Sequence, residues 1–407
     1  MTDNDGKDVS GLLKHRDFLL FASSRASSVT ASQMLTVAVG WMLYAKTGDP
    51  FTLALVGLFR FLPIFVLFLW AGAAADRYDR PRIIGICSLT QAISAGLIGL
   101  VLLVPDSVLW PVYLLLTVHG GAQAFLQPAQ QSTLPDIVPK HLWAQAIAVT
   151  STIIRVAQLG GPAIAGVLIA FAEHTVFVVI FVLSLIAAAS AAMIRKYLRP
   201  ELSEPSNRLT HLLAGFEHIR RTPIVFGAIT IDLVAVLFGG IAGLLPIFAL
   251  DVLGVGAVGL GAMRAMPAIG GLGMGLLLGA MAPTNRTGPL FFIALGMFGL
   301  SIVVFSLSSV FWVSLVALFI YGAVDMFSVY VRQTLVQIAT PDTLRGRVNA
   351  VNSVSISASN ELGDFRAGSM AVLIGTVPAV ALGGVVTLGA AALWWRIFPE
   401  LRRVRLT

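Results

Sequence analysis

The chain has 407 residues, of which 57% are hydrophobic and only 12% are charged. Ordinary soluble domains carry about 25% charged residues, so this composition excludes a soluble globular protein and indicates a polytopic membrane protein. The formal net charge of +7 lies mostly in short links and tails, without the interleaved aromatic residues of a nucleic-acid-binding surface. The single cysteine, Cys87, excludes an intrachain disulfide. We expect no cofactor, no metal and no nucleic-acid partner.

Apolar runs of about twenty residues or more follow one another along the chain, and each is long enough to cross a bilayer as a helix. The first run lacks a small-residue cleavage site after it, so we interpret it as an uncleaved first helix and not as a signal peptide. The predicted fold is all-α, with twelve transmembrane helices. The predicted spans are 17–45, 51–75, 83–104, 110–134, 145–171, 175–195, 223–250, 258–281, 289–307, 311–338, 348–375 and 378–398.

Basic residues predict which links face the cytoplasm. They concentrate in alternate links, whereas the opposite links contain only Lys46. The positive-inside rule then places both termini in the cytoplasm. The basic residues of the cytoplasmic links and tails are Lys14, Arg16, Arg77, Arg80, Arg82, Lys140, Arg195, Lys196, Arg199, Arg208, Arg220, Arg221, Arg286, Arg345, Arg347, Arg402, Arg403 and Arg405.

A long polar link at 196–222 divides the chain into an N-terminal six-helix half, 1–195, and a C-terminal six-helix half, 223–407. The second part of this link alternates apolar and polar residues with helical spacing, which predicts an amphipathic helix on the inner membrane surface. A helical start to span 7 is the alternative interpretation. The apolar residues of this pattern are Leu209, Leu212, Leu213, Phe216 and Ile219.

The two halves repeat one another in sequence. His119-Gly120 aligns with Tyr321-Gly322, and at the same offset Gly161 aligns with Gly363. Each half is therefore predicted to be one copy of a parallel structural repeat, which is a common construction in transporters.

The link between spans 2 and 3 carries a densely charged motif. It resembles the signature loop of the major facilitator superfamily, with Asp79 standing where that family usually has glycine. The resemblance implies two pseudo-symmetric six-helix halves with the substrate bound between them. It also implies that the residues matching the family motif in this loop form a conformational latch. The motif is Gly72-x-x-x-Asp76-Arg77-x-x-Arg80-x-Arg82, and the implied latch residues are Gly72, Asp76, Arg77 and Arg80.

Further motifs resemble particular branches of that superfamily. Gly161-Pro162-x-x-x-Gly166 in span 5 is similar to the fifth-helix motif of proton-antiporting exporters. Three other stretches resemble bacterial exporters related to the enterobactin and macrolide efflux proteins, and they imply export without naming a substrate. These stretches are 212–216, 341–349 and 360–364.

Charged residues occur inside seven of the predicted spans. They are absent from the interiors of spans 3, 6, 9 and 12, and span 4 carries a histidine and glutamines instead. Each would cost about 2.5–3.5 kcal/mol at the bilayer centre if it faced lipid, so we expect these groups to face a wet or paired interior. The period of three agrees with the superfamily arrangement, in which every third helix packs outside. The residues are Arg25, Arg60, Arg155, Asp232, Arg264, Asp325, Arg332, Glu361, Asp364 and Arg366.

The carboxylates of this set are the candidates for proton coupling, because protonation removes a charge that burial penalises. Asp325 is the first candidate and Glu361 the second, followed by Asp232 and Asp364.

Span 4 contributes a polar face, because His119, Gln123, Gln127 and Gln130 recur at spacings of three or four. Such a face lines a cavity or joins helices by hydrogen bonds, and the sequence leaves both interpretations open. Six arginines against four carboxylates favour an anionic or amphiphilic substrate over a neutral or cationic one, because arginine grips carboxylates and phosphates through paired hydrogen bonds. The candidate cavity residues are Arg25, Arg60, His119, Gln123, Gln127, Arg155 and Arg264.

The leading hypothesis is a secondary active transporter, monomeric and multi-pass in a bacterial inner membrane, that exports an organic small molecule by proton antiport. An uptake symporter or a lysolipid flippase of the same fold is the nearest alternative. An intramembrane enzyme would need a nucleophile and base or converging metal ligands, and the chain has no HExxH or GxSxG motif. An interaction or sensor protein is the remaining alternative.

Overall fold

A computed structural model describes residue 12 and residues 14–104, 108–195, 216–280 and 287–404. These residues form twelve long helices and no strand, so the predicted all-α polytopic architecture is confirmed. The helices are α1 Arg16–Thr47, α2 Pro50–Arg77, α3 Arg80–Leu103, α4 Trp110–Ile137, α5 Trp143–Phe171, α6 Thr175–Ala192, α7 Pro223–Gly239, α8 Gly256–Ala280, α9 Thr287–Leu307, α10 Phe311–Ala339, α11 Asp342–Ile374 and α12 Thr376–Ile397.

Most of the predicted linker, residues 196–215, lies outside the described residues, as do the basic residues Arg286 and Arg405. Residues 216–221 are helical. Thr222 is extended, with φ −108° and ψ 96°, so it separates this helical turn from α7. Ile219 is buried with Val225 and Ile229 of α7 in a cluster that also includes residues of α10 and α11.

The described helices differ in how well they suit a bilayer. Nine helical segments among the described residues are long and apolar enough to cross a membrane by length and composition, and α1, α4 and α11 are not among them. α4 carries the histidine and glutamines noted above, and α11 carries Glu361, Asp364 and Arg366. Helices of such polarity need protein or water around them, because lipid offers their side chains no hydrogen bonds.

The helices that lack interior charges pack against one another, α3 against α6 and α9 against α12. α3 exposes an apolar stripe at spacings of three or four, which includes Ile86, Ile93 and Leu100. α9 exposes an equivalent stripe that includes Ile293 and Leu300. Exposed apolar stripes on membrane-spanning helices are suited to lipid, which explains why these helices carry no interior charge.

The described contacts divide the chain into two compact units. The first unit comprises Met1–Met42 and Phe59–Pro205, and the second comprises Leu43–Leu58 and Ser206–Thr407. The end of α1 and the start of α2 therefore belong to the second unit, although they precede the linker in sequence. Within the second unit, Gly368 of α11 packs on the backbone of Ala54.

The aligned glycines of the sequence repeat perform the same packing role in both units. A methyl group on Gly120 of α4 would overlap the carbonyl oxygen of Arg60 in α2. A methyl group on Gly322 of α10 would overlap the carbonyl oxygen of Pro267 in α8. Glycine permits this close backbone approach, which is a common basis of helix packing in membranes.

We expect Gly322→Ala to destabilise the protein strongly, because the added methyl group meets backbone atoms that cannot rotate away. Overpacking of this kind costs about 1–3 kcal/mol or more. The measurement is the melting temperature of the purified protein in detergent. Gly273→Ala in α8 is the matched control, since nothing lies within 4 Å of the position that its methyl group would take. Equal melting temperatures for the two variants would contradict the assigned packing role.

Candidate functional site

The charged link between α2 and α3 is organised around Arg80. Its Nε donates to the Ala75 carbonyl oxygen at 3.1 Å, and its Nη1 donates to the Ser132 carbonyl oxygen at 3.0 Å. The same Nη1 forms an ion pair with Asp136 in the last turn of α4. Arg80 therefore ties the end of α2 to the end of α4 within the first unit. Charge-assisted hydrogen bonds of this kind are the strong ones in proteins.

The other predicted latch residues lie at the end of α2. Gly72 is half-buried, whereas Asp76 and Arg77 are exposed. Their role in a conformational latch stays a prediction.

Asp79, which replaces the usual glycine, has φ −60° and ψ 112°. Any residue adopts this extended conformation, so the backbone does not require glycine here. The carboxylate forms an ion pair with Arg82, with 3.2 Å between Oδ2 and Nε, while its Oδ1 is buried and has no hydrogen-bond partner among the described residues. Burial raises the pKa of the Asp79 carboxyl above its ordinary value, and the smaller effect of Arg82 lowers it.

Two of the predicted cavity residues of the first unit are held by neighbouring helices. Arg60 of α2 donates from Nη1 to Thr36 Oγ1 of α1 at 2.7 Å. Gln123 of α4 accepts a hydrogen bond from Gln91 Nε2 of α3 at 2.8 Å. Gln123 thus joins two helices, as expected for a polar side chain that contributes to packing.

The remaining candidates of the first unit differ in exposure. Arg155 and Gln127 are exposed, Arg25 is half-buried and His119 is buried with 3% of its surface accessible. Neither ring nitrogen of His119 has a hydrogen-bond partner among the described residues. Arg155 contacts Gln158 Oε1 through Nη1 at 3.4 Å, a long hydrogen bond. Its guanidinium therefore retains most of its hydrogen-bonding capacity.

The antiporter-like motif of span 5 forms a contact between α5 and α1. A methyl group on Gly161 would lie 2.8 Å from Gln33 Cβ and 3.2 Å from the Thr30 carbonyl oxygen. Pro162 and Gly166 are buried on the same helix. The motif therefore sets how closely α1 and α5 approach.

A buried ion pair links α7 and α10 in the second unit. Arg332 Nη2 lies 3.2 Å from Asp232 Oδ2, and the two side chains are 2% and 8% exposed. Arg332 Nη1 also donates to Asn352 Oδ1 of α11 at 3.0 Å. Asp232, a predicted coupling carboxylate, is therefore ion-paired, and Arg332 is bound to side chains within the second unit.

Span 7 is interrupted in its middle, where the sequence predicts one continuous helix. α7 ends at Gly239, and residues 240 and 241 are not helical. The chain continues through Ala242–Leu244 as a 3₁₀ turn, Leu245–Ile247 as an α-helical turn and Phe248–Val252 as a π-helical turn. We call residues 242–252 the distal segment of span 7.

Charged side chains from α8 and α11 bind the backbone groups that this interruption leaves free. Arg366 donates from Nε to the Leu237 carbonyl oxygen at 2.9 Å and from Nη2 to the Phe238 carbonyl oxygen at 2.7 Å. These contacts place a cation at the C-terminal end of α7, where the helix dipole is negative. Arg366, like Arg332, is therefore occupied within the second unit.

The distal segment is bound on its own side of the interruption. Gly243 N–H donates to Asp364 Oδ1 at 3.0 Å, and Arg264 Nη2 donates to the Ala242 carbonyl oxygen at 2.7 Å. A carboxylate thus binds a backbone amide of the interrupted segment, and a guanidinium binds a backbone carbonyl of the same segment. Three of the ten charged residues predicted for the spans meet at this interruption.

A second repeat, which the sequence reasoning missed, concerns the arginines of α2 and α8. Gly120 of α4 packs against the Arg60-x-x-Pro63 stretch of α2. In the same way, Gly322 of α10 packs against the Arg264-x-x-Pro267 stretch of α8. Arg60 reaches α1, and Arg264 reaches the distal segment of span 7. The recurrence of Arg-x-x-Pro in spans 2 and 8 is the sequence pattern that predicts equivalent positions for these two arginines.

The other two predicted coupling carboxylates lie on α10 and α11 of the second unit. Asp325 on α10 and Glu361 on α11 are half-buried. The start of α2 packs against α11 here, because a methyl group on Gly57 would lie 3.5 Å from the Glu361 carbonyl oxygen and 3.6 Å from Asp364 Cβ. Within the described ranges, no group of three or more His, Cys, Asp or Glu side chains is arranged to hold a metal ion.

The sequence from residue 21 to residue 363 matches the Major Facilitator Superfamily. The chain belongs to this superfamily. Members of the superfamily similar to this chain include the enterobactin exporter EntS of Shigella flexneri, which is 27% identical over 98% of this chain and 96% of its own length. EntS of Citrobacter koseri is 26% identical over 98% of this chain and 95% of its own length. The resemblance drawn from the signature loop is thereby confirmed.

Solved superfamily structures share the fold. A bacterial homologue of the human lysosomal transporter Spinster, in an inward-facing and unoccupied conformation, gives a TM-score of 0.72 at 17% identity, covering 95% of this chain and 98% of that one. A D-xylose–proton symporter gives a TM-score of 0.71 at 13% identity, covering 96% of this chain and 99% of that one. The predicted twelve-helix superfamily fold agrees with these structures.

We expect Asp79→Asn to stabilise the protein at neutral and higher pH, because the amide removes a charge that burial disfavours. A carboxyl group with a raised pKa destabilises the folded state once it ionises, and this cost disappears as the pH falls and the group is protonated. The melting temperature of the variant should therefore exceed that of the parent at pH 8, and the difference should shrink toward pH 4. A difference that grows as the pH falls would contradict this assignment.

We expect Asp232→Asn to destabilise the second unit because it leaves Arg332 as a buried charge without its counter-ion. Removing one partner of a buried ion pair costs about 3–5 kcal/mol. The double variant Asp232→Asn with Arg332→Gln should recover much of this loss, since neither charge remains. Thermal unfolding of the four proteins forms a double-mutant cycle, and additive effects of the two substitutions would rule out the pair as a coupled unit.

Proposed function

We propose that this superfamily member is a proton-coupled exporter of an organic anion or anionic amphiphile, working by alternating access in a bacterial inner membrane. The supporting observation is that some of its membrane arginines bind partners within the protein, whereas Arg155 has little such bonding. Arg332 and Arg366 are occupied by internal partners, whereas Arg155 is exposed and its hydrogen bonding among the described residues is one 3.4 Å contact with Gln158. A guanidinium at membrane depth is too costly to face lipid, so we assign Arg155 to a water-filled substrate cavity.

Arg60 is the second cavity group in this proposal. Its contact with Thr36 uses one of its five N–H donors and fixes the direction of the side chain. Arginine binds carboxylates and phosphates through two parallel hydrogen bonds. Two such groups in one unit favour an anionic substrate, and the half-buried Arg25 adds to the same positive field.

Export is favoured by the relatives and by the α5 motif. The enterobactin exporters match this chain over nearly its whole length. Gly161 and Pro162, at the contact between α5 and α1, belong to the motif that resembles the fifth-helix motif of proton-antiporting exporters. An uptake symporter remains the alternative of the same fold, since a proton symporter is among the similar structures. Transport is also preferred to catalysis, because the relatives are exporters.

Everted membrane vesicles from cells that produce the protein test this proposal. In these vesicles, export appears as accumulation in the lumen, and respiration makes the lumen acidic. We expect a panel of organic anions to include substrates that accumulate, and we expect nigericin to abolish the accumulation by dissipating the pH gradient. Matched cationic and neutral compounds serve as comparison. Accumulation restricted to cations, or unaffected by nigericin, would contradict the proposal.

We expect Arg155→Gln to weaken binding of an accumulated anion at least tenfold, equivalent to about 1.4 kcal/mol. The loss should fall on affinity, with the melting temperature close to that of the parent, because Arg155 has few protein contacts. Isothermal titration of the purified protein measures the affinity. Arg220→Gln, at another exposed arginine, is the matched control and should retain it. Unchanged anion affinity in Arg155→Gln would remove this residue from the binding site.

A further inference from the structure

The interruption of span 7 exposes backbone groups at a depth where they need partners. Unsatisfied carbonyl and amide groups are costly inside a membrane, and broken helices are tolerated there only when protein or water satisfies them. Here the satisfying groups are charged side chains from α8 and α11. The stability of the interruption therefore depends on the charge states of those side chains.

Asp364 is the titratable partner of the distal segment. Its Oδ1 accepts the Gly243 amide hydrogen at 3.0 Å, and its side chain is half-buried. A hydrogen bond to an ionised carboxylate is about twice as strong as a neutral one. Protonation would therefore weaken the contact, whereas the arginine contacts at the Ala242 and Phe238 carbonyls would persist because arginine stays charged.

The groups that face Asp364 come from the surrounding helices. Arg366 and Glu361 lie on α11 itself, and Arg264 lies on α8. Tyr321 of α10 interacts electrostatically with both Asp325 and Asp364. α2 approaches through Gly57, which brings no charge. Asp364 therefore lies near both a guanidinium and another carboxyl group.

The other end of the distal segment is held through its own carboxylate, Asp251. Asp251 accepts a hydrogen bond from the hydroxyl group of Tyr44, near the end of α1. The segment thus runs between the Gly243–Asp364 contact and the Tyr44–Asp251 contact, and both lie in the second unit. Loosening one end changes the constraint on the other, because the segment is only eleven residues long.

We propose that Asp364 is the carboxylate that couples proton binding to movement, and that it acts by releasing the distal segment of span 7 when it is protonated. This inference rests on the proposed proton-coupled function and specifies its coupling residue. Asp232 is less suited to the role, since its proton would have to displace Arg332 in a sealed site. Asp364 accepts a hydrogen bond directly from the Gly243 amide of the interrupted segment.

Hydrogen–deuterium exchange of the purified protein tests the proposal without any substrate. After correction for the intrinsic pH dependence of exchange, the amides of residues 242–252 should lose protection at least tenfold between pH 8 and pH 5. Asp364→Asn should give the low protection at both pH values, because its neutral amide resembles the protonated carboxyl. Glu173→Gln, at an exposed carboxylate of the first unit, is the matched control and should keep the parental pH dependence.

A second variant tests the Gly243–Asp364 hydrogen bond without changing the charge of Asp364. A methyl group on Gly243 would lie 3.1 Å from Asp364 Cγ, so Gly243→Ala should displace the carboxylate and lower protection at pH 8 with no charge removed. Protection of residues 242–252 that is independent of pH in the parent, or that follows the parental profile in Asp364→Asn, would overturn the proposal.

Transport distinguishes failure of this inference from failure of the proposed function. In everted vesicles, Asp364→Asn should still exchange substrate down its gradient but should not accumulate it when the lumen is acidified. Proton-driven accumulation by Asp364→Asn would overturn the coupling role while leaving the exporter proposal intact. An absence of proton-driven accumulation in the parent would instead refute the exporter function.

Discussion

The constraint on which this structure depends is the cost of a charged or hydrogen-bonding group that faces lipid. The chain keeps the interiors of α3, α6, α9 and α12 free of charge, and several of its membrane charges bind partners on neighbouring helices. The buried charges of Asp232 and Arg332 are paired with each other. Arg366 also satisfies this constraint, because it donates hydrogen bonds to backbone carbonyls that the end of α7 leaves without helical donors.

The two units use one construction with one consequential difference. Arg60 and Arg264 occupy equivalent Arg-x-x-Pro positions, and the glycines that pack beside them are aligned in sequence. In the first unit the arginine reaches the hydroxyl of Thr36 on a continuous α1. In the second unit it reaches the Ala242 carbonyl of an interrupted span 7. The interruption therefore distinguishes the second unit, and Asp364, Arg264 and Arg366 bind its backbone groups.

Sequence reasoning predicted the helices, the superfamily and the separation of charged from apolar spans, because these follow from local composition and from motifs. It predicted span 7 as continuous, since the apolar run passes through Gly240 and the groups that stabilise the break, Asp364 and Arg366, lie more than a hundred residues away. Gln123 was left between cavity lining and packing, and only its contact with Gln91 shows that it joins helices. The placement of 43–58 in the second unit likewise depends on long-range contacts.

Reconstitution of the purified protein in liposomes that enclose a pH-sensitive dye gives the most direct test of the central claim, that organic-anion export is exchanged for protons. With no other ion gradient present, an imposed gradient of transported anion should drive protons in the opposite direction across the membrane. The dye should report this movement as a substrate-dependent pH change that protein-free liposomes lack. Anion movement without a pH change, or with protons moving in the same direction as the anion, would contradict proton antiport.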